Sequence, residues 1–326
     1  MYVLGIDTSN YRTSLCLVDS QFNVVAETNP LLEVPSGSLG MQQSKAVFTH
    51  LKQWPHLLKQ LDLTAEVLKG IKAVGVSVKP RPVEGSYMPV FKVGEVLAET
   101  IAYFLGVPLY KTSHQEGHIA AGEYTVEGKL PDSFSAVHLS GGTSEIVLVK
   151  RSLSGYEIDP LGRSLDLAAG QMVDRVGVRL GLPFPSGSQL EQLAKQWEET
   201  SPTPHSFPVI PSYVKEANFS FSGPTTAALK LIDSGKYQPG QIARAVEHLL
   251  VKTLEKALRY VIKTYQCHHV LLVGGVTANC YLRRKLKEKL EHRAVGGKLY
   301  FADVAYATDN AFGVACLTLR WLNGQS

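Results

Sequence analysis

Short apolar runs alternate with polar turns at the start of the chain. The runs YVLGID, TSLCLVD and NVVAET each have the length of a strand, and polar segments separate them. This pattern predicts three strands joined as a β-meander. Apolar residues then recur with helical spacing over Ser44–Leu61 and Lys92–Leu105, and the apolar run IKAVGVSV between them predicts a further strand.

The opening pattern returns near the middle of the chain. Residues Ser135–Lys150, SAVHLSGGTSEIVLVK, again consist of an apolar run, a small polar turn and a second apolar run. The repeat predicts an internal duplication of one α/β unit, with the two halves facing each other across a cleft. Turns rich in Gly, Ser and Thr in such a cleft suit phosphate, because the backbone approaches closely and its N–H groups serve as donors.

The second half continues with helical patterns and one buried strand. Helices are predicted within Asp166–Leu182 and over Gln241–Tyr265, whereas Glu199–Glu216 contains four prolines and is predicted to be a loop. The segment HHVLLVGGVTANCYLRRKLKEKL predicts a strand, a Gly-Gly turn and a helix. A strand, GKLYFAD, and a last helix, YATDNAFGVACLTLRWL, follow. Strand–glycine–helix in the second copy of a duplicated unit favours nucleotide binding.

Composition and charge exclude some classes of protein. The chain has 326 residues, of which 44% are hydrophobic and 19% are charged, and its net charge is +4. This mild excess permits an RNA partner without requiring one. We expect neither a signal peptide nor a membrane span, because there is no basic leader and no apolar run of about 18 residues. Four scattered cysteines without C-x-x-C predict no disulfide framework and favour a reducing cytoplasm.

Two histidines four residues apart lie in the stretch TSHQEGHIAAGEY. On a helix, His114 and His118 would share one face. A zinc protease would need glutamate directly after the first histidine, but that position is Gln115, and Glu116 comes one residue too late. From this stretch alone, a metal site and two solvated histidines are both open interpretations.

Seven short motifs extend this stretch along the chain. In order, they are HQEGH, LSGG, DLAAGQMVD, PSG, FSFSG, GGVTAN and TDN. Their order and spacing resemble those of the TsaD family, which makes threonylcarbamoyladenosine in tRNA. The resemblance implies an α/β fold of the actin/hexokinase/heat-shock-70 type, with two ribonuclease-H-like domains around a nucleotide cleft. The predicted first domain is 1–113 plus about 304–326, and the second is 114–303 with a helical insertion.

The resemblance also implies a metal site. The two histidines of HQEGH and the aspartate of TDN match the family's ligands for iron or zinc, so His114, His118 and Asp309 are the predicted ligands. Two imidazoles and one carboxylate suit a borderline divalent ion and leave positions open for substrate. His138 matches a tyrosine ligand of archaeal relatives and is a further candidate, with a buried strand histidine as the alternative.

A set of contacts to an adenine nucleotide is implied in the same way. The nucleotide would be ATP, AMP or the intermediate threonylcarbamoyl-AMP. A carboxylate accepts from ribose hydroxyls, a glycine lets the backbone pass close to the sugar, and an amide both donates and accepts. The predicted contacts are Leu139, Ser140, Gly141, Gly142, Thr143, Asp174, Gly187 and Asn279.

The activity implied by the resemblance is acyl transfer to tRNA. The threonylcarbamoyl group of threonylcarbamoyl-AMP passes to the adenosine beside the anticodon, with the metal as Lewis acid and template. The family normally works with a related dimerising subunit and an ATPase subunit, so tRNA and these two proteins are the expected partners. The expected location is the cytoplasm.

Two segments depart from the family's pattern. Tyr11 and Arg12 stand where the family has an acidic pair, and Lys79–Phe91 replaces a glycine-rich loop. Arginine does not act as a base, because its pKa exceeds 12, but it is suited to binding an anion. Two hypotheses follow. One is a threonylcarbamoyl transferase or a close variant, and the other is a catalytically impaired paralogue that binds nucleotide and metal and acts as a partner or regulatory subunit.

Overall fold

A computed structural model describes residues 1–34, 40–153, 155–203 and 206–325 of the chain. The first sheet has five strands, and its first three form the predicted antiparallel meander. The other two run parallel to the first strand, so that the order across the sheet is β3-β2-β1-β4-β5. The strands are β1 (Tyr2–Thr8), β2 (Thr13–Asp19), β3 (Val24–Thr28), β4 (Ile71–Lys79) and β5 (Leu109–Ser113).

The second large sheet repeats this topology. Its meander is followed by two parallel strands, in the order β12-β11-β6-β7-β8. A small hairpin of β9 (Tyr213–Lys215) and β10 (Asn218–Ser220) lies outside both sheets. The predicted duplication is therefore present in the strand order. The strands of the second sheet are β6 (Ser133–Leu139), β7 (Ser144–Ser152), β8 (Gly155–Arg163), β11 (His269–Val273) and β12 (Lys298–Phe301).

Helices connect and cover the two sheets. None of the helices within the described ranges has the length and apolar character needed to cross a bilayer. In chain order they are α1 (Gln43–Leu61), α2 (Ala65–Gly70), α3 (Pro89–Leu105), α4 (His114–Thr125), α5 (Ala169–Arg179), α6 (Gly187–Thr200), α7 (Ser222–Asp233), α8 (Pro239–Tyr265), α9 (Cys280–Leu290), α10 (Val304–Ala307) and α11 (Phe312–Asn323), with a 3₁₀ turn at Gly275–Ala278.

The predicted last helix is in fact two helices. α10 ends at Ala307 and α11 begins at Phe312, so the TDN motif lies in the connection between them. The amide of Asn310 explains the break, because its Nδ2 donates to the carbonyl of Thr308 at 2.8 Å while its Oδ1 accepts from Gly313 N at 3.2 Å. A side chain that bonds the local backbone in this way competes with helix continuation. Asp309 is therefore a loop residue.

Smaller differences concern the ends of elements and missed elements. Strands β5, β8 and β10 and helices α2 and α7 were not predicted. Strand β8 carries polar residues together with Pro160, which suits its place at the edge of the sheet. The predicted loop Glu199–Glu216 contains the end of α6 and all of β9. Residues 204 and 205 of that loop lie outside the described residues.

Helix α11 returns the end of the chain to the first sheet. It packs against β1, β2 and β4, and it also crosses α4, which in turn packs against β11 of the second sheet. At this crossing, a Cβ on Gly313 would overlap the carbonyl oxygen of Gly117 and would lie only 2.7 Å from Ala121 N. The two helices therefore approach closely only because glycine occupies the contact. The exact domain boundaries stay a prediction.

Candidate metal and nucleotide site

Helix α4 begins with a complete N-terminal cap beside the first histidine. Ser113 Oγ accepts from Glu116 N at 3.3 Å, and the Glu116 carboxylate accepts from Ser113 N at 2.9 Å and from Thr112 Oγ1 at 3.0 Å. This reciprocal pair satisfies backbone donors that a helix start leaves open. The Glu116 carboxylate is thereby engaged in the cap and is not available as a general base, which removes the protease interpretation.

The helical spacing brings the two histidines together, and the loop before α11 supplies the carboxylate. His118 Nε2 lies 3.2 Å from His114 Nε2 and 3.3 Å from Asp309 Oδ1, and His114 Nε2 lies 3.4 Å from that same oxygen. The ligand atoms of these three residues all lie within 4.8 Å of one another. The structure thus brings together the three predicted ligands, and this group is suited to holding a divalent ion.

Residues of the first half orient these ligands. Asp7, at the end of β1, lies with its Oδ1 3.0 Å from His114 Nδ1, and it also accepts a hydrogen bond from Ser77 Oγ. Ser9 Oγ donates to Asp309 Oδ2 at 3.0 Å. A carboxylate on the outer nitrogen of a ligating histidine fixes its tautomer and leaves Nε2 for the metal. Asp7 was not among the predicted site residues, although its place at the end of the apolar run YVLGID indicates an acidic side chain at the edge of the sheet.

The two carboxylates of the cluster favour a positive charge beside them, either a proton on His114 or a bound cation. Burial disfavours a charged His114, but the carboxylates of Asp7 and Asp309 outweigh burial and raise the pKa of His114 to about 10. Burial would raise the pKa of Asp309, but the two imidazoles hold it well below its usual range. For His118, burial and the neighbouring His114 lower the pKa. A divalent cation would supply the charge that a proton on His114 otherwise provides.

His138 lies beside this group. It is buried on β6, and its ring centroid is 4.5 Å from that of His118 and 6.4 Å from that of His114. Neither of its ring nitrogens has a hydrogen-bond partner in the structure. Burial and the neighbouring His118 lower its pKa well below the usual value, so the imidazole is neutral. Its role as a further ligand stays a prediction.

The turn after β6 is a tight turn closed by hydrogen bonds of Ser140. Ser140 N donates to Thr143 O at 2.8 Å, and Ser140 Oγ accepts from Gly142 N at 3.3 Å and from Thr143 N at 3.0 Å. The start of α5 packs directly beneath the turn, since a Cβ on Gly170 would lie 2.7 Å from Ser140 O. Leu139, the last residue of β6, and Gly141 complete the predicted phosphate segment.

The other predicted nucleotide contacts lie on α5, α6 and α9. Asp174 on α5 accepts from Ser186 N at 2.8 Å through Oδ1, and burial raises its pKa to about 6. Gly187 opens α6, and a Cβ there would meet open space, so its backbone is accessible. The roles of these two residues as nucleotide contacts stay predictions.

Asn279 is more constrained than the sequence indicated. Its Oδ1 caps α9 by accepting from Leu282 N at 2.8 Å, and its Nδ2 donates to Glu247 Oε1 at 2.6 Å. One N–H of the amide is left for a ligand. Glu247, which sequence analysis missed, therefore fixes the orientation of Asn279 from α8, while the buried Arg244 contacts the other Glu247 oxygen at 2.5 Å.

The two residues at the family's acidic positions point in different directions. The ring of Tyr11 packs edge-on against Phe184 with centroids 5.4 Å apart, and burial together with the charges of Asp174 and Asp309 raises its pKa. Arg12 Nη1 instead donates to the carbonyl of Asn29 at 2.6 Å. In this structure, then, the Tyr11 ring reaches the second half while its hydroxyl lies beside the backbone of Gly40 and Met41, whereas the Arg12 guanidinium is directed at a backbone oxygen.

Comparisons with known proteins bear on this geometry. A family model for TsaD, described as tRNA N6-adenosine threonylcarbamoyltransferase, matches residues 39–316. A tRNA N6-adenosine threonylcarbamoyltransferase of Persephonella marina is 32% identical over 324 residues, covering 97% of this chain and 88% of the relative. The protein of the same description from Thermosipho africanus is 30% identical over 319 residues, covering 97% and 92%.

Solved structures resemble the fold at low sequence identity. The activator of the 2-hydroxyisocaproyl-CoA dehydratase from Clostridium difficile with bound ADPNP has a TM-score of 0.56 at 12% identity, covering 100% of this chain and 96% of that chain. A ROK family glucokinase from Streptomyces griseus in complex with glucose and AMPPNP has a TM-score of 0.54 at 9% identity, covering 98% and 99%. These likenesses confirm the predicted actin/hexokinase-type α/β fold.

The metal site gives the first prediction. After reconstitution with Fe²⁺ or Zn²⁺, elemental analysis should find about one equivalent in the wild-type protein and much less in His114→Ala, because two ligands do not hold the ion as three do. The exposed His56, on α1, provides the control, and His56→Ala should keep the wild-type content. Equal metal contents in wild type and His114→Ala would contradict the site.

The raised pKa of Asp174 gives a second prediction. Protonation below about pH 6 removes the charge that accepts from ribose hydroxyls, so the affinity for AMP should fall by up to roughly 10-fold as the pH drops from about 8 to about 5. Titration calorimetry measures this. Asp174→Asn should bind weakly throughout and lose this pH dependence, whereas Asp233→Asn, on the exposed end of α7, should behave as wild type. A pH profile that Asp174→Asn leaves unchanged would remove Asp174 from the nucleotide contacts.

Proposed function

The chain belongs to the TsaD family, tRNA N6-adenosine threonylcarbamoyltransferase, and we propose that its cleft transfers the threonylcarbamoyl group of threonylcarbamoyl-AMP to the adenosine beside the anticodon of tRNA. It is accordingly a transferase that modifies tRNA. The observation that carries the proposed site is the convergence of His114, His118 and Asp309, which come from α4 and from a loop 191 residues further along the chain.

The donor would lie along the cleft between two sets of residues. The Ser140–Thr143 turn and Asp174 would hold the phosphate and ribose of the AMP part, while His114, His118 and Asp309 would hold iron or zinc at its acyl end. When bound, the metal supplies Lewis acidity to the donor's oxygens. The residues Asp7 and Ser9 keep the histidine and aspartate ligands in place, so that the donor binds to a pre-organised site.

The transfer itself balances without a protein nucleophile. The N6 amine of the adenosine forms a bond to the carbamoyl carbon, the bond from that carbon to the phosphate oxygen breaks, AMP leaves, and the nitrogen gives up one proton. Tyr11 stays protonated at neutral pH because burial and the carboxylates of Asp174 and Asp309 raise its pKa. It is therefore a neutral phenol and does not act as a base. The alternative of an impaired regulatory paralogue has no positive support in the comparisons.

The proposed partners rest on the family resemblance and on exposed apolar side chains of α1 and α3. Several apolar side chains of α1 and α3 are exposed, among them Phe48, Leu51, Tyr103 and Phe104, the last two being 82% and 81% exposed. Apolar groups of this size in the open are typical of an interaction face. We propose that a related dimerising subunit covers them, that an ATPase subunit completes the assembly, and that the reaction takes place in the cytoplasm.

Transfer to tRNA is the direct test. Protein reconstituted with Fe²⁺ or Zn²⁺ is given threonylcarbamoyl-AMP and a tRNA with adenosine beside the anticodon, and the nucleosides are analysed by mass spectrometry. We expect threonylcarbamoyladenosine with wild type, none with a tRNA that lacks this adenosine, and a loss of about 100-fold or more with Asp309→Asn. If product never exceeds that of a protein-free control, with or without the partner subunits, the proposed function is wrong.

The exchange of the acidic pair gives a further prediction. A carboxylate at position 11 would orient the attacking amine or accept its proton, which the phenol of Tyr11 does not do. Supplied with preformed donor, Tyr11→Asp with Arg12→Glu should therefore transfer faster than wild type, by about 10-fold or more. Tyr11→Phe is the control that removes the hydroxyl without adding a carboxylate, and it should not be faster. Equal rates for wild type and the double variant would mean that the carboxylates are dispensable in this chain.

A further inference from the structure

A polar pocket lies where the loop after β4 meets the second half of the protein. Its volume is about 220 Å³, and it adjoins the same turn that we assign to phosphate. It is lined by Arg81 from the first half and by Thr143, Glu145, Arg163 and Asp166 from the second half, among others. Arg81 belongs to the segment Lys79–Phe91, in which this chain departs from the family's glycine-rich loop, so the family's motifs do not account for this arginine.

The backbone around Arg81 is tied to the metal site. Pro80 O accepts from Gln115 N at 3.0 Å, and Gln115 directly follows the ligand His114. Arg81 N donates to Ser86 Oγ at 3.0 Å, which closes the loop on itself. On the opposite side of the pocket, Glu145 lies across from His138 in the β6–β7 ladder. The loop that carries Arg81 is thereby anchored to the first turn of α4, which carries the candidate ligand His114.

The pairing of Arg81 is loose. A single contact of 3.4 Å joins its Nη1 to Glu145 Oε2, and the Arg81 side chain is 46% exposed while that of Glu145 is 7% exposed. The other oxygen of Glu145 accepts from Gln115 Nε2. An Arg–carboxylate pair with good geometry makes two parallel hydrogen bonds at about 2.7–2.9 Å. Most of the donor capacity of Arg81 is therefore available to a ligand.

The other charged groups of the pocket are Asp166 and Arg163. The carboxylate of Asp166 is engaged, since it accepts from Phe221 N at 2.9 Å, from Leu167 N at 2.5 Å and from Ser220 Oγ. Within the described part of the chain, Arg163 has no ion-pair partner. Both carboxylates of the pocket therefore already accept hydrogen bonds, whereas the guanidinium groups of Arg81 and Arg163 keep donors for an anion.

We propose that Arg81 binds the carboxylate of the amino-acid part of the acyl donor and so selects a donor built on an amino acid. The inference rests on the proposed function. In threonylcarbamoyl-AMP, five bonds separate phosphorus from the carboxylate carbon, a reach of about 6 Å. A phosphate on the Ser140–Thr143 turn would bring the carboxylate into the adjoining pocket. The carboxylate takes the place of Glu145 Oε2 on the guanidinium and gains the bidentate geometry that Glu145 lacks.

Binding of three ligands tests this role. The first is a phosphonate analogue of the donor, with CH₂ in place of the oxygen between phosphorus and the carbamoyl carbon so that transfer is blocked. The second is the same analogue without the carboxylate, and the third is AMP. With zinc-reconstituted protein, calorimetry should find that Arg81→Met weakens the first ligand by roughly 10- to 100-fold and leaves the other two within about twofold of wild type.

Three further variants sharpen the test. Arg81→Lys keeps the positive charge but lacks the two parallel N–H donors of the guanidinium. Its affinity for the carboxylate analogue should lie between those of wild type and Arg81→Met. Glu145→Gln keeps an oxygen for Gln115 but releases Arg81, so it should bind the carboxylate analogue at least as tightly as wild type. Arg259→Met is the matched control, because Arg259 is 45% exposed and paired with Glu255 on α8, outside the pocket, and it should leave all three affinities unchanged. Thermal unfolding confirms that each variant is folded.

The possible failures are distinguishable. If wild-type protein binds neither AMP nor either analogue, the proposed function fails and the role of Arg81 fails with it. If wild type binds the analogues but does not prefer the carboxylate, or if Arg81→Met weakens AMP just as strongly, only the role of Arg81 is wrong. A variant that binds all three ligands normally and loses affinity for tRNA alone would make Arg81 a contact to RNA phosphate and would overturn the proposal.

Discussion

The backbones of α4 and α11 meet at Gly117 and Gly313, and the metal site depends on this contact. Gly117 lies between the two ligand histidines on α4, and Gly313 follows Asp309 by four residues. Because neither residue has a Cβ, the helices approach until Gly313 is against the Gly117 carbonyl. That approach brings a carboxylate from the end of the chain to 3.3 Å from His118. A Cβ on Gly313 would push α4 and α11 apart and would thereby move Asp309 away from the two histidines.

The same packing creates an electrostatic demand. Two carboxylates, the buried Asp7 and the 20% exposed Asp309, lie beside the imidazoles, and burying unpaired charges is costly. Hydrogen bonds from Ser77 and Ser9 offset part of this cost, but one oxygen of Asp7 has no partner among the residues that the structure describes. A cation at the meeting point of the three ligand atoms resolves the imbalance. The two carboxylates therefore favour a bound cation at the place where acyl transfer is proposed to occur.

Sequence alone was sufficient for the repeated architecture, and the family resemblance named three predicted ligands that do lie together. Sequence failed where local side-chain bonds decide the outcome. The meander and its return were visible because buried strands leave apolar runs, whereas β8 was invisible because it is an edge strand with Pro160 and polar positions. The apolar pattern of the last helix continued through TDN, and only the backbone bonds of Asn310 break it. For Asn279, the motif fixed the position but not the orientation, since Glu247 comes from a distant helix.

The two halves share a topology, but each contributes different residues to the candidate site. In the second half, the turn between the first two strands holds glycines and a serine that binds its own backbone, which suits phosphate. In the first half, the equivalent turn carries Ser9 toward the metal ligand Asp309 and Tyr11 toward the other half. Tyr11 touches Phe184, and a Cβ on Gly141 would lie 3.9 Å from its ring. A short carboxylate at this position would not reach as far. The exchange of an acid for tyrosine thus adds a contact between the halves as well as changing the proton chemistry at residue 11.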